Sequence, residues 1–257
     1  SYDDVNGDFI CEAEEIIISN KWMSFDDYLA LNKIGFVCYL LTIAEYFIRV
    51  VDYLTENTDI NITQLFHDIM NPPEKDSIEA AYRKFLDDYD QERIEELSET
   101  FEEAKQKMEE SFRKAGNQVL EPSRLNVKFA SRIIYHEKWF AGVLWDNLER
   151  KELKKDDKLI LQDLINVCDE EWVNLLEIHQ QKKLAVTGLT HEYLGTIKDY
   201  NRFFPYEKYD INFTVTDEQK HILGTYMNRY VNEKTETLNT NALDFITSRR
   251  RLRYEHI

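Results

Sequence analysis

The feature that most constrains this chain is the run from Ile34 to Leu54, almost continuous in aliphatic and aromatic side chains. As a helix it is apolar on most sides, so it must be covered all round and belongs at the centre of a core. Glu45 and Arg49 stand near its middle and end, which marks a buried helix of a globular chain and not a bilayer span. Ser24 followed three residues later by Asp27 is a capping-box pattern, with Asp26 and Asp27 at the positive end of the helix dipole. No proline intervenes from Phe25 to about Thr55, and Gly35 is the only weak point. The expectation is one central helix of about 45 Å, at 1.5 Å per residue.

A polar seam crosses that helix. Thr42, Glu45, Arg49 and Asp52 recur at spacings of three and four and share one face of a continuous helix. Glu45 precedes Arg49 by four, the favourable order for an ion pair. The seam reads either as a solvated or interdomain stripe, or as a buried charged network lining a cavity. The second reading is the functional one, because unpaired charges are so costly to bury.

The remaining pattern is mostly helical. Phe9 to Ser19 mixes β-branched and acidic residues without a stripe and reads as extended. Thr63 is expected to cap a short helix reaching Met70, ended by Asn71-Pro72-Pro73. Ser77 opens a long acidic helix from Ile78 to Lys114, closed by Ala115-Gly116-Asn117. Residues 74–115 hold fourteen Asp/Glu against eight Lys/Arg, so only the stripe Ile94, Leu97, Phe101, Ala104, Met108 and Phe112 is expected to pack. Leu125 to Arg150 forms a helix anchored by Trp139, Phe140, Leu144, Trp145 and Leu148. Another runs from Asp156 or Asp157 to about Lys183, with Leu159, Leu161, Leu164, Ile165, Trp172, Leu175, Leu176 and Ile178 inward, and Thr187-Gly188 ends the regular region.

Beyond it, Thr190 to Tyr200 reads as helix, Phe203-Phe204-Pro205 as a break, and Tyr209 to Val215 as a strand by its alternation. A capped helix from Asp217 to about Val231 follows, then a strand or ragged helix from Leu243. The fold class is therefore mainly α: a helical bundle with a small mixed α/β C-terminal appendage. The expected division is an extended segment at 1–23, a helical body at 24–183 and the appendage at 184–257.

Charge narrows the function. The chain holds 49 Asp/Glu and 32 Lys/Arg, a formal charge of −17, and such a field repels phosphate backbones and anionic lipid surfaces. Neither nucleic acid nor membrane is an expected partner. Residues 1–32 carry eight Asp/Glu and one Lys, whereas Arg249, Arg250, Arg251 and Arg253 form the one terminal basic cluster. That cluster pairs with acidic surface of its own or a neighbouring domain, or else serves an anion or RNA. Cys11, Cys38 and Cys168 lack any metal-ligand or redox spacing, which fits a reducing compartment and a cytoplasmic location. No basic-then-apolar leader opens the chain, and a start at Ser1 followed by YDDVNGDF reads as the interior of a longer protein.

Local motifs specify no reaction. Seven isolated glycines form neither a dinucleotide fingerprint nor a P-loop, and no GxSxG elbow is present. His136-Glu137 lacks the second histidine one turn on. Of the two ExxH pairs a di-iron bundle needs, only Glu218 to His221 has the spacing. His67, His136, His179, His191, His221 and His256 are dispersed, Cys38 reads as a small core residue, and acid pairs such as Glu14-Glu15 and Asp169-Glu170-Glu171 are too common here to single out. No catalytic or metal-binding residue is nominated.

One segment is more distinctive: Glu14 to Arg49, EEIIISNKWMSFDDYLALNKIGFVCYLLTIAEYFIR. Through Glu15, Ile16, Ile17, Met23, Ser24, Asp27 and Tyr28 it resembles the linker following the radical barrel in cobalamin-binding radical S-adenosylmethionine proteins. There an acidic-aliphatic run leads into Met-Ser-x-x-Asp-Trp/Tyr and a long apolar helix. The resemblance covers about one seventh of the chain. In that family a cobalamin-binding α/β domain and a barrel with a CxxxCxxC iron–sulfur site precede a variable, largely helical C-terminal region. This chain has no CxxxCxxC and no cobalamin-ligand motif, so the resemblance implies the C-terminal region alone, with no catalytic residue to carry over. It implies an accessory domain that caps or widens a substrate site or carries protein contacts. Its partner would be an adjacent catalytic domain of the same protein, and S-adenosylmethionine, the iron–sulfur cluster and cobalamin would be bound by that parent, none by this chain. The competing readings are a free-standing acidic helical interaction module without cofactor, and a metal enzyme built on the Glu218 to His221 pair.

Overall fold

The computed structural model describes residues 2–5, 8–11, 14–72, 79–114, 125–136, 139–171, 181–196 and 204–215. It also describes short stretches at 217, 220–221, 231–232, 237–238 and 255–256. Two short strands, β1 (Tyr2–Val5) and β2 (Asp8–Cys11), pair antiparallel, with Tyr2 opposite Cys11. Residues 14–19 continue without regular structure, so the expected extended segment is a strand only up to Cys11. Helix α1 (Phe25–Cys38) then starts on the expected capping box: Asp27 N–H donates to Ser24 Oγ at 3.1 Å, and Ser24 N–H donates to Asp27 Oδ2 at 2.8 Å.

The single helix expected from Phe25 to Thr55 is two helices. A π-helical turn, Tyr39–Ile43, follows α1, and α2 (Ile48–Asn57) sets off at 94° to the preceding segment. Three local facts explain the break. Thr42 Oγ1 donates back to the Cys38 carbonyl at 2.7 Å, Ala44 N–H reaches the Tyr39 carbonyl five residues back, and Glu45 takes a left-handed φ of 59°. Folding the apolar run back on itself lets both arms share one core: Phe36, Leu40 and Leu41 before the bend, Phe47, Val50 and Leu54 after it.

Helix α3 (Ile62–Met70) is capped by Asn61, whose Oδ1 accepts from Gln64 N–H at 3.0 Å, and not by Thr63. The expected acidic helix 78–114 is α4 (Ala80–Glu95) and α5 (Phe101–Lys114). Between them Thr100 Oγ1 accepts from Glu103 N–H, Glu103 Oε2 accepts from Glu99 N–H, and Lys107 Nζ donates to the Leu97 carbonyl. One helix is thus stopped and the next started by side chains. The packing stripe also differs: Tyr82, Phe85, Leu86 and Tyr89 are buried, while Ile94 and Phe101 are exposed. The expected caps at Ser77 and at Ala115 to Asn117 lie outside the described residues.

The helix expected over 125–150 is α6 (Leu125–Ser131), a second π-helical turn at Arg132–His136, and α7 (Phe140–Glu149). Phe140, Leu144 and Leu148 are buried as anticipated, and Trp139 and Trp145 pack partly buried against the same core. Around Trp139 the rings of Tyr82, Phe85 and Phe140 lie 4.8, 5.1 and 5.9 Å away, and Phe129 packs edge-on to Phe85 and Tyr89. Each such pair is worth about 0.5–1.5 kcal/mol beyond burial, so α4, α6 and α7 are held chiefly by this cluster.

Helix α8 (Lys155–Glu171) buries Ile160, Leu161, Leu164, Ile165, Val167 and Cys168. It packs against α2 and α7 on one side and against the sheet on another. The helix was expected to run to Lys183; instead Gln181–Thr187 is strand β3, paired antiparallel with β4 (Lys208–Thr214) from Gln181 opposite Thr214 to Thr187 opposite Lys208. Alternation decides this: Val186, Ile211 and Phe213 turn into the core while Lys183, Ala185 and Asp210 stay exposed. The boundary drawn at 183/184 falls inside β3. Thr187 does not end the regular region but caps helix α9 (Gly188–Tyr193), which supersedes the helix expected from Thr190.

β7 (Glu255–His256) adds two residues beside β4, and β5 (Val231–Asn232) pairs with β6 (Thr237–Leu238). Most of the helix expected from Asp217 and most of the segment from Leu243 lie outside the described residues. The architecture is mainly α, with a small antiparallel sheet in the C-terminal part. Among the described residues no single helix is long and apolar enough to cross a membrane.

Candidate functional site

The bend after α1 dissolves the expected seam. Thr42 lies in the π turn, Glu45 in the break, and only Arg49 and Asp52 share α2. Asp52 is exposed, as a solvated stripe requires. Arg49 instead turns inward, and its Nε donates to Glu171 Oε1 at 2.6 Å, with the Glu171 side chain only 3% exposed. Tyr46 donates its hydroxyl to Asp169, and Lys182 Nζ pairs with Glu170 at 3.0 Å. The acid run Asp169-Glu170-Glu171 is therefore the anchor by which the end of α8 is tied to α2 and β3.

A second polar network lies deeper. Asp163, 5% exposed, accepts three hydrogen bonds at one oxygen: from Thr187 N–H and Thr187 Oγ1, each at 2.7 Å, and from Thr190 Oγ1 at 2.9 Å. A carboxylate at the N-terminus of α9 is favourably placed. Beside it, buried His191 donates from Nε2 to the Tyr209 carbonyl at 3.2 Å and has Nδ1 2.7 Å from Thr196 Oγ1. The sequence reading passed over Asp163, although an acid inside the apolar face Leu161, Leu164, Ile165 and a Thr-Gly-x-Thr cap were both visible signals.

The tyrosines of these networks stay protonated. Burial, then the Asp157 carboxylate that accepts the Tyr53 hydroxyl at 2.8 Å, pushes the Tyr53 pKa far up. Burial, with Glu56 and Asp52 nearby, raises that of Tyr193, whose ring stands edge-on to Tyr53 at 5.0 Å. Such groups donate hydrogen bonds and do not act as bases near neutral pH. The chemistry of both networks is that of structural ties.

The remaining chemical candidates are spread out. His67 lies 3.6 Å from Asp68, His221 is exposed, and Cys38 Sγ sits 3.6 Å from Thr42 Oγ1. Cys168 is buried, consistent with a core thiol. Among the described residues no three His, Cys, Asp or Glu side chains converge as a metal-ligand group. Glu218, His179 and the Arg249 to Arg253 cluster lie outside the described residues.

What stands out at the surface is the segment leading into α1. Asn20 and Met23 bridge antiparallel, Asn20 Oδ1 accepts from the Trp22 and Met23 N–H groups at 2.8 and 3.1 Å, and the Ser24 cap follows at once. This tight turn projects Trp22, 82% exposed, with Lys21 Nζ 3.8 Å over its ring. Ile17 is 72% exposed and Ile16 about half exposed a few residues earlier. Isolated exposed apolar residues are ordinary, but a large indole held out by a hydrogen-bonded turn, beside two isoleucines, forms a docking surface in chemical character. The order of the residues shows the turn through Asn20 and Ser24; only the fold shows that nothing covers Trp22 among the described residues. Comparison with protein-family models, with curated proteins and with solved structures finds no match to this chain.

Proposed function

We propose that this chain is a helical accessory domain of a cobalamin-dependent radical S-adenosylmethionine enzyme, without catalysis of its own, that docks on the adjacent catalytic domain through residues 14–24. The observation that carries the reading is the exposed Ile17 and Trp22 on a hydrogen-bonded turn, in the same stretch whose residues resemble the linker after the radical barrel. An apolar patch bordered by Glu14, Glu15 and Lys21 is suited to an interface with a dry centre and a polar rim. The bent core helix and the tied ends of α8 then serve as the rigid support of that interface. The polar ties around Asp163 and Glu171 hold the scaffold in one arrangement.

The test begins with the coding sequence upstream of Ser1, where three cysteines spaced CxxxCxxC are expected. In the full-length protein, amides of residues 14–24 are expected to exchange more slowly than in the isolated chain, and Trp22→Glu to abolish that protection. An upstream frame without the three cysteines refutes the enzyme assignment. Equal exchange in the two proteins refutes the docking role.

A further inference from the structure

A second surface, which uses none of residues 14–24, carries its own inference. Trp145 of α7, Leu153 of the connection, and Lys155, Lys158, Leu159 and Gln162 of α8 line a groove of about 370 Å³, open on its solvent side. The four α8 residues are spaced i, i+3, i+4 and i+7 and so form one face. Trp145, Leu153 and Leu159 make an apolar floor, and the two lysines and Gln162 make a polar rim.

The charge of this groove runs against that of the chain. Residues 150–158 hold five Arg/Lys and three Asp/Glu in a protein of net charge −17. The first-turn acids of α8 are engaged elsewhere: Asp156 accepts from the Tyr206 hydroxyl at 3.2 Å and Asp157 from that of Tyr53. Neither rim lysine has a carboxylate partner among the described residues. Lys158 Nζ reaches only the Glu149 carbonyl, at 3.3 Å, and Lys155 Nζ stands 5.4 Å over the Tyr206 ring. The positive end of the 17-residue α8 adds to the same potential.

We infer that this groove binds an acidic peptide segment of a protein partner, with one apolar side chain on the Trp145–Leu153–Leu159 floor and flanking carboxylates on Lys155 and Lys158. Openness selects a peptide over a small molecule, because an open groove cannot enclose most of a small ligand's surface. The charge complementarity selects an acidic sequence.

The experiment is selection of a displayed random-peptide library on the chain and on Lys155→Glu/Lys158→Glu, with circular dichroism confirming that the variant is folded. The wild type is expected to enrich peptides with Asp or Glu on both sides of Leu, Ile or Phe. A fluorescein-labelled selected peptide should lose at least tenfold in affinity against the double variant, should weaken as salt is raised, and should bind Trp145→Ala poorly. If the Glu variant misfolds, Lys155→Gln/Lys158→Gln is expected to show the same loss. No acidic-apolar consensus, or equal affinity for wild type and variants, overturns the inference. Displacement by citrate as effective as by unlabelled peptide, at equal charge, reduces the groove to a simple anion site and also overturns it.

Discussion

Asp163→Ala is the substitution that most directly tests how the sheet is joined to the helices. The wild-type carboxylate is buried, and one oxygen accepts from the Thr187 amide and from the Thr187 and Thr190 hydroxyls. Alanine removes the acceptor and leaves the Thr187 N–H buried without one. Hydrogen bonds to a charged group contribute about 1.5–3 kcal/mol each. The two hydroxyls, 3.1 Å apart, can turn toward each other and recover part of the loss. The expected cost is therefore about 3–4 kcal/mol, a large share of the roughly 5–15 kcal/mol that stabilises a domain. Asp163→Asn keeps one carbonyl oxygen for the Thr187 amide and should cost about 1–2 kcal/mol. Urea unfolding followed by circular dichroism measures both, with an unchanged slope showing that the change is in stability alone. Hydrogen exchange at the Thr187 amide should rise in the alanine variant more than exchange in the middle of α8. A loss below about 1 kcal/mol for Asp163→Ala, or a larger loss for Asn than for Ala, refutes the reasoning.

Other substitutions test other ties. Glu45→Gly should be more stable than Glu45→Ala by about 1 kcal/mol, because only the left-handed φ separates them; equal unfolding midpoints would remove the backbone argument. Arg49→Ala should cost about 2 kcal/mol, less than the 3–5 typical of breaking a fully buried pair because the Arg49 side chain is partly exposed, and a midpoint matching wild type would count against its tie to Glu171. Asp88, hydrogen-bonded to Lys84 and Arg132, has its pKa held below the usual carboxylate value. It therefore contributes stability that is present above its unfolded pKa and lost as pH falls through the lowered folded one. The stability gap between wild type and Asp88→Asn should be full near pH 6 and close below about pH 4, and a gap independent of pH would contradict this.

How much of this was legible before the structure depends on whether the signal was local. The capping box at Ser24 and Asp27, the strand around Tyr209 to Val215 and the burial of Phe140, Leu144 and Leu148 rest on neighbouring residues and on simple periods, and they stand as expected. The docking turn was half legible: Asn20 and Ser24 are turn and cap residues in any context, whereas the exposure of Ile17 and Trp22 is a property of what the rest of the chain leaves uncovered. The partners of Asp163, Arg49 and Tyr46 lie 24, 122 and 123 residues away, beyond the reach of any spacing rule.

The sequence by itself determined that this would be a mainly helical chain around the apolar run after Ser24, because burying that run outweighs every local preference against it. The tertiary structure decided where the helices stop. At Thr42 to Phe47, at Leu97 to Thr100 and at Arg132 to Trp139 a helical pattern continues in the sequence, yet the chain turns. Interrupting a helix sacrifices a few backbone hydrogen bonds, each worth about 1 kcal/mol net. Turning brings side chains such as Phe47, Leu54 and Phe140 into one core, where each contributes about 1.5–3 kcal/mol. That balance depends on what lies opposite, and so it is settled only when the whole chain is packed.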